Sequence, residues 1–178
     1  MNKIRKPTFA MLLNPVHFIS MGYGSGLSPF APGTVGTLAA IPLYLLCMQY
    51  IGGIFENPVQ FTLLVTIMFI IGCVCAHFTG KALGVTDHGA IVWDEVVGYF
   101  VTVSVIPYSQ LSIMELIIWT LVGFFVFRFF DIFKPWPASW VDKNIKNGFG
   151  VMLDDVLAAI ISALVLYAGL LVFGGYNV

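Results

Sequence analysis

Apolar stretches alternate with short polar ones along most of the chain. Three stretches carry no Asp, Glu, Lys or Arg: 34–55, 59–80 and 156–175. Each has about the length that a helix needs to cross a bilayer, roughly 20 residues. Two more, 91–107 and 112–133, are apolar except for charges near their ends. Because a backbone in lipid must satisfy its own hydrogen bonds, the pattern predicts about five membrane helices and an all-α fold.

Composition supports a membrane protein. The chain is 59% hydrophobic and only 10% charged, with a mean hydropathy of +0.94, whereas soluble domains are about 25% charged. The length suits a single membrane-embedded domain over 1–178, and a net charge of −1 gives no indication of nucleic-acid binding. Cys47, Cys73 and Cys75 lie in apolar runs without metal or disulfide spacing. We expect them to be packing residues.

The charges predict an orientation. With five crossings, every basic residue falls on the side of the N-terminus, and the loops around 55–59 and 108–112 contain none. The positive-inside rule therefore places the N-terminus in the cytoplasm and the C-terminus on the far side. All acidic residues except Glu56 and Glu115 gather at the same cytoplasmic face. The basic residues are Lys3, Arg5, Lys6, Lys81, Arg128, Lys134, Lys143 and Lys146.

Acidic residues at this face come in adjacent pairs beside apolar sequence. Such carboxylates repel each other unless a cation lies between them, and Mg²⁺ or Mn²⁺ favours oxygen ligands. The simpler alternative for the second pair is a helix N-cap favoured by the macrodipole. Because two pairs and a further acid share one face, we predict metal binding. The candidate ligands are Asp87, Asp94, Glu95, Asp154 and Asp155.

Three charges at the end of the fourth apolar stretch follow each other at intervals of three. Arg128, Asp131 and Lys134 would lie on one stripe of a continuous helix. One interpretation is an ion-pair ladder that reaches the membrane interface. The other is one wall of a phosphate site, since phosphoryl chemistry needs cations beside metal-binding acids. We predict the second, with these three residues in catalysis.

A loop rich in Gly, Ser and Thr, at 22–37, leads into the first apolar stretch. Backbone N–H groups before a helix can bind phosphate, although the P-loop pattern is absent. The alternative is a flexible loop with a Thr N-cap. His88 is a candidate proton donor or phosphate ligand. Trp93, Trp136, Trp140 and Tyr23 flank charged ends and are predicted interfacial anchors. The candidate phosphate ligands in the loop are Ser28, Gly33, Thr34 and Thr37.

Four ordered blocks of the chain resemble the phosphatidylglycerophosphatase A family of bacterial inner-membrane lipid phosphatases. They are "GSGLSPFAPGTVGTLAAIP" (Gly24–Pro42), "DHGAIVWDEVVG" (Asp87–Gly98), "FRFFDIFKPWP" (Phe127–Pro137) and "GFGVMLDDVLA" (Gly148–Ala158). The resemblance implies Mg²⁺-dependent conversion of phosphatidylglycerophosphate, a phospholipid of the membrane, to phosphatidylglycerol. It does not say which acids bind the metal.

Several other mechanisms lack their motifs here. Cys-x5-Arg, Asp-x-Asp-x-Thr and the histidine pattern of type-2 lipid phosphatases are absent. Water activated by a metal is then the expected nucleophile, with an aspartate as the open alternative. A phosphoalcohol transferase would carry Asp-Gly-x2-Ala-Arg, which is also absent. An ion-coupled carrier would place acids near the bilayer midplane and show inverted repeats, whereas these acids gather at one face.

Overall fold

The computed structural model describes residues 4–174, which form helices joined by turns and loops and contain no β-strand. The all-α prediction is confirmed. Lys3 and position 175, used in the predictions above, lie outside the described residues. Short 3₁₀ helices cover Phe9–Leu13, Gly22–Leu27 and Tyr108–Gln110. The α-helices are α1 (Pro15–Ser20), α2 (Pro32–Glu56), α3 (Pro58–Leu83), α4 (Trp93–Val103), α5 (Ile113–Phe133), α6 (Ala138–Asn144) and α7 (Gly148–Phe173).

Four helices, α2, α3, α5 and α7, are long and apolar enough to cross a membrane. Their outer faces expose large apolar side chains that water would not favour but lipid would. The membrane character predicted from the sequence is therefore confirmed. Examples of these exposed residues are Leu46, Ile70, Ile118, Phe125, Leu164 and Val172.

Helix α4 is shorter than the predicted stretch 91–107. Its 11 residues cover about 16 Å, against roughly 30 Å of hydrocarbon. From Ser104 the chain continues by a bend and a 3₁₀ turn to the far ends of the other helices. There the Tyr108 hydroxyl donates to the Gly52 carbonyl of α2 at 2.5 Å. The segment thus passes between the two ends of the bundle, although its helix covers only about half of that distance.

A helix that ends at membrane depth leaves carbonyls without partners. Here nearby side chains donate hydrogen bonds to these carbonyls. The Ser104 hydroxyl donates to the Val101 carbonyl at 2.7 Å, and the Tyr44 hydroxyl donates to the Val103 carbonyl at 3.4 Å. Irregular backbone at this depth is tolerated only inside protein, and most α4 residues are buried.

Small residues let α4 lie close to its neighbours. A Cβ on Gly98 would lie 2.6 Å from the Phe127 ring of α5, and one on Gly36 of α2 would lie 2.7 Å from Val92. Without a strong hydrophobic drive between helices in lipid, close backbone approach of this kind supports packing. As a result, the acidic start of α4 lies between α2, α5 and α7.

Helix α7 begins eight residues before the predicted stretch 156–175. Its N-cap is Asn147, whose side chain accepts a hydrogen bond from the Gly150 amide at 2.9 Å. Asp154 and Asp155 therefore lie inside the helix, in its second turn, and the interpretation of this pair as an N-cap is wrong. The predicted stretch began too late because it was taken to start after the last charged residue, Asp155. A membrane helix can, however, carry buried charges that have partners.

The N-terminal segment packs against the ends of α3 and α4. The Arg5 amide donates to the Leu83 carbonyl at 2.8 Å, and the Val92 amide donates to the Ser20 carbonyl at 2.9 Å. In addition, His17 Nδ1 lies 2.9 Å from the buried Thr79 hydroxyl. These contacts bring the loop 22–31 to the end of the bundle at which α4 begins.

Candidate active site

Charged side chains from three helices meet at one end of the bundle. Asp94 and Glu95 lie in the first turn of α4. Arg128 and Asp131 come from the last turns of α5, and Asp154 and Asp155 from α7. Asp154 lies about 9 Å along the helix axis from the start of α7. The acids are thus buried below the helix ends and do not lie on an open polar surface.

Three carboxylates form a compact group at the centre. One oxygen each from Asp94, Glu95 and Asp155 lies within 4.8 Å of the others. Asp94 is 7% exposed and Asp155 is 3% exposed. Within residues 4–174, Asp94 Oδ1, Glu95 Oε2 and Asp155 Oδ2 are buried oxygens without a hydrogen-bond partner.

Unpaired buried carboxylate oxygens are costly unless a cation or donor meets them. Three of them converging from two helices form the oxygen-rich donor set that a hard divalent cation prefers. Mg²⁺ needs only a small number of protein ligands, because it usually keeps several waters and also binds substrate phosphate. The donor set of Asp94, Glu95 and Asp155 therefore fits Mg²⁺.

Asp154 faces a different partner from its neighbour Asp155. Its carboxylate is paired with the Lys134 ammonium, and the residue is 2% exposed. The same ammonium lies 3.9 Å from Asp155 Oδ1. Burial by itself lowers the pKa of Lys134, but the carboxylates of Asp155 and Asp154 outweigh it and raise the pKa above its usual value. Lys134 is therefore a cation at neutral pH, at the edge of the carboxylate group.

Lys134 does not continue the stripe of α5 that the spacing predicted. It caps the helix in the left-handed region, with φ of 42°, so its side chain turns from α5 towards α7. Arg128 and Asp131 do form an i, i+3 ion pair, with Nη1 2.6 Å from Oδ2. The ion-pair ladder that was the alternative interpretation thus ends after its first two members, and the third charge joins α5 to α7.

The Arg128 guanidinium is held along one edge. Nη1 contacts Asp131, donates to the Thr37 hydroxyl at 3.3 Å and lies 3.8 Å from Glu95 Oε1. Its Nε is buried and has no hydrogen-bond partner among residues 4–174. An arginine with one edge anchored and a donor still open is suited to bind an oxyanion such as phosphate.

The start of α2 lies directly against this guanidinium. A side chain on Gly33 would collide with Glu95 Oε1 and come within 3.4 Å of Arg128 Nη1. The Thr37 hydroxyl donates to the Gly33 carbonyl at 2.9 Å. The N-cap is Ala31, without a side-chain hydrogen bond, so the alternative of a Thr N-cap is wrong. The free N–H groups of this first turn, which includes Thr34, add positive potential beside Arg128.

Three of the predicted site residues lie towards the rim. Ser28 donates to the Phe30 carbonyl at 2.8 Å and shapes the loop before α2. His88 Nδ1 accepts a hydrogen bond from the Ala90 amide at 3.1 Å in the turn before α4. Asp87 is exposed and lines a small cleft with Asp142 and Asp154. The structure therefore separates Asp87 from the compact group of three carboxylates.

Two residues have roles that the sequence interpretation missed. Trp93 is not an interfacial anchor: it is 6% exposed, and its indole N–H donates to the Met68 carbonyl at 3.1 Å. It thereby ties the acidic start of α4 to α3. Asp142 lies 3.9 Å from Lys134 Nζ and 3.5 Å from Lys146 Nζ. The i, i+4 spacing of Asp142 and Lys146 was the available signal.

Comparison with known proteins gives concordant matches. The family model for phosphatidylglycerophosphatase A matches residues 18–170. A protein of that name from Escherichia coli (strain K12) is 43% identical over 155 residues, covering 86% of this chain and 83% of the relative. One from Haemophilus influenzae is 43% identical over 157 residues, covering 88% and 90%.

A third relative has a different name. A Bacteroides thetaiotaomicron protein with a provisional name as a phosphatidylinositol-3-phosphatase is 32% identical over 175 residues, covering 96% of this chain and 100% of the relative. No solved structure matches the chain significantly. Both names describe lipid phosphatases.

Proposed function

Because this chain belongs to the phosphatidylglycerophosphatase A family, we propose that it hydrolyses the terminal phosphomonoester of phosphatidylglycerophosphate. The products are phosphatidylglycerol and phosphate, and Mg²⁺ is the cofactor. One observation of the structure carries the proposal: three buried carboxylates with unpaired oxygens lie beside an arginine whose Nε is unpaired. The group lies at one end of helices that are apolar enough to cross a membrane, which supports a lipid headgroup as its ligand.

Asp94, Glu95 and Asp155 would hold the cation. When bound, Mg²⁺ supplies positive charge to the phosphate oxygens and favours deprotonation of water. Asp154 has a different part, because its Oδ2 is paired with the Lys134 ammonium. Its Oδ1 is buried without a hydrogen-bond partner among residues 4–174, so this oxygen would also be open to the cation. Asp154 holds the ammonium at the edge of the site, where Lys134 can offset the charge of the phosphate.

Two elements would bind the phosphate group: the guanidinium of Arg128 and the start of α2. Asp131 would position the guanidinium. Asp131 holds Nη1 of Arg128 and so fixes the direction of the guanidinium. The unpaired Nε and the N–H groups around Gly33 and Thr34 would then be the donors to phosphate oxygens. Binding of this kind catalyses hydrolysis if the donors match the charge that develops in the transition state. His88 retains Nε2 for the proton transfer predicted for it, since Nδ1 accepts from Ala90.

Activity should depend on the metal. We expect phosphate release from phosphatidylglycerophosphate to stop when purified protein is treated with excess EDTA, and to return when Mg²⁺ is added in excess. The physical reason is that three adjacent carboxylates bind substrate phosphate poorly unless a cation separates the negative charges. Inorganic phosphate released from micellar substrate is the measurement.

The same assay with two further lipids tests which substrate the protein prefers. Phosphatidylinositol 3-phosphate and phosphatidic acid are assayed beside phosphatidylglycerophosphate at equal surface concentration. Full turnover in excess EDTA would contradict the role of Mg²⁺. A higher kcat/KM for phosphatidylinositol 3-phosphate would instead replace the proposed substrate, in line with the name of the Bacteroides relative.

The site is proposed to face the cytoplasm in the bacterial inner membrane. Arg5, Lys81, Arg128, Lys134 and Lys146 all belong to the end of the bundle that contains the carboxylates. A one-sided excess of Lys and Arg marks the cytoplasmic side of membrane proteins. The acyl chains of the substrate would then stay in the inner leaflet while its phosphate enters the site.

Cysteine labelling tests this orientation. In a variant without the native cysteines, an impermeant maleimide added to whole cells should label Ser109→Cys at the far end. Asn144→Cys, in the last turn of α6, should react only after the membrane is opened. Both positions are exposed, so access to the reagent decides the result. Labelling of Asn144→Cys in intact cells would reverse the proposed side of the active site.

A further inference from the structure

A second group of positive charges lies at the same end of the bundle, outside the group of three carboxylates. It surrounds a cavity of about 290 Å³ between the end of α3 and the turn before α7. Gly80 and Gly84 belong to its lining. The polar residues of its lining are His77, Lys81, Thr86, Lys146 and Asn147.

The sign of the charge in this cavity is positive. No acidic residue belongs to its lining. Lys81 has no ion pair within the described part of the chain, and Lys146 has one with Asp142 at 3.5 Å, with a side chain that is 57% exposed. Two ammonium groups that share a concave surface, one of them without a carboxylate, favour an anionic ligand.

A second, apolar cavity lies next to the first, and Lys81 lines both. This second cavity has a volume of about 490 Å³, and Val16, Phe78 and Ala82 form much of its lining. Phe78 is 52% exposed on the side of α3, so the cavity opens where α3 would meet the acyl region of the bilayer. Lys81 thus stands at a boundary between a cationic space and an apolar one.

We propose that these two cavities together bind one anionic phospholipid. Its phosphodiester lies between Lys81 and Lys146, and its glycerol and an acyl chain lie along Phe78 and Val16. The apolar cavity favours a lipid over soluble phosphate, which would need only the cationic part. Basic pockets between membrane helices on the cytoplasmic side are recognised lipid headgroup sites. The proposal uses no residue of the phosphatase site and does not depend on the proposed substrate.

The test measures lipid binding by the full-length protein in a neutral detergent. Dioleoylphosphatidylglycerol, dioleoylphosphatidylcholine and inorganic phosphate are the probes, and the readouts are native mass spectrometry and the shift in Tm. The variant is Lys81→Gln/Lys146→Gln. Its matched control is Lys6→Gln/Lys143→Gln, which removes two exposed charges from the same end. A third protein, Arg128→Gln, reports lipid bound in the phosphatase site.

We expect the wild type, the control and Arg128→Gln to bind phosphatidylglycerol in preference to phosphatidylcholine. The Lys81/Lys146 variant should lose about fivefold in affinity for each lysine removed. Wild-type affinity in that variant would overturn the proposal, as would equal binding of phosphatidylcholine or equal affinity for phosphate alone. Loss of binding in Arg128→Gln, with retention in the lysine variant, would assign the lipid to the phosphatase site.

Discussion

We expect Asp155→Asn to lower kcat/KM for phosphatidylglycerophosphate by more than about 100-fold. The substitution keeps the shape of the side chain and removes one of the three charges that converge on the proposed cation. Loss of groups that merely orient a metal ligand typically costs 10–100-fold in metal affinity or activity, so loss of a ligand charge should exceed that range. Initial rates over a range of Mg²⁺ concentrations would measure it, and the midpoint of the Mg²⁺ dependence should rise.

The unfolding temperature of the variant distinguishes a role of Asp155 in metal binding from a structural role. Asp94, Glu95 and Asp155 crowd three like charges into a buried space, and removing one charge relieves repulsion. Asp155→Asn should therefore unfold at the same temperature as the wild type or at a higher one. Asp142→Asn is the matched control, because Asp142 lies at the same end but outside the group of three. An equal loss of activity in the control would show that the charge of the whole face matters, not this group.

The membrane-spanning helices could be predicted closely from the sequence. The bilayer sets how long an uncharged apolar run must be, so 34–55 and 59–80 agree with α2 and α3 to within a few residues. The same argument fails for α4, which is enclosed by other helices and need not match the bilayer. It also misplaces the start of α7, where buried carboxylates with partners continue the helix.

The gathering of most acids at one end of the bundle was predictable from the number of crossings, but their pairing was not. Asp154 and Asp155 are adjacent in sequence, yet they point about 100° apart around a helix. The rotation of α7 against its neighbours decides that Asp155 joins Asp94 and Glu95, while Asp154 meets Lys134. Packing of small residues such as Gly98 sets that rotation, and no local pattern in the sequence encodes it.

The position of Lys134 was equally hidden. The end of α5 was predictable, because the apolar stretch ends at residue 133 and Pro135 follows. A left-handed residue just after a helix is usually Gly or Asn, so nothing in the sequence indicates that this lysine leaves the stripe of Arg128 and Asp131. The bulk of this side chain is unfavourable at φ of 42°, and its ion pair with Asp154 provides a reason to retain it. Unusual backbone geometry of this kind concentrates at functional sites.

Arg128→Lys should lower turnover by about 100- to 1000-fold, the range seen when one preorganised donor to a developing oxyanion is lost. Lysine keeps the positive charge and can still meet Asp131. An ammonium lacks the second hydrogen-bonding edge of a planar guanidinium, so lysine cannot replace the unpaired Nε that we assign to the phosphate. Asp131→Asn should cause a comparable loss, because the guanidinium would no longer be held by a charged partner 2.6 Å from Nη1. The measurement is kcat per folded molecule.

The alternative is that Arg128 and Asp131 only stabilise α5. Breaking a buried ion pair for structural reasons would lower Tm and the amount of protein in the membrane, because one charge would be left without a partner. The surviving molecules would keep normal turnover. Arg5→Lys, the same substitution at an exposed residue of the same end, controls for the change in side-chain chemistry. If Arg128→Lys and Asp131→Asn both retain wild-type kcat, the pair is structural, and phosphate binding would pass to Lys134 and the first turn of α2.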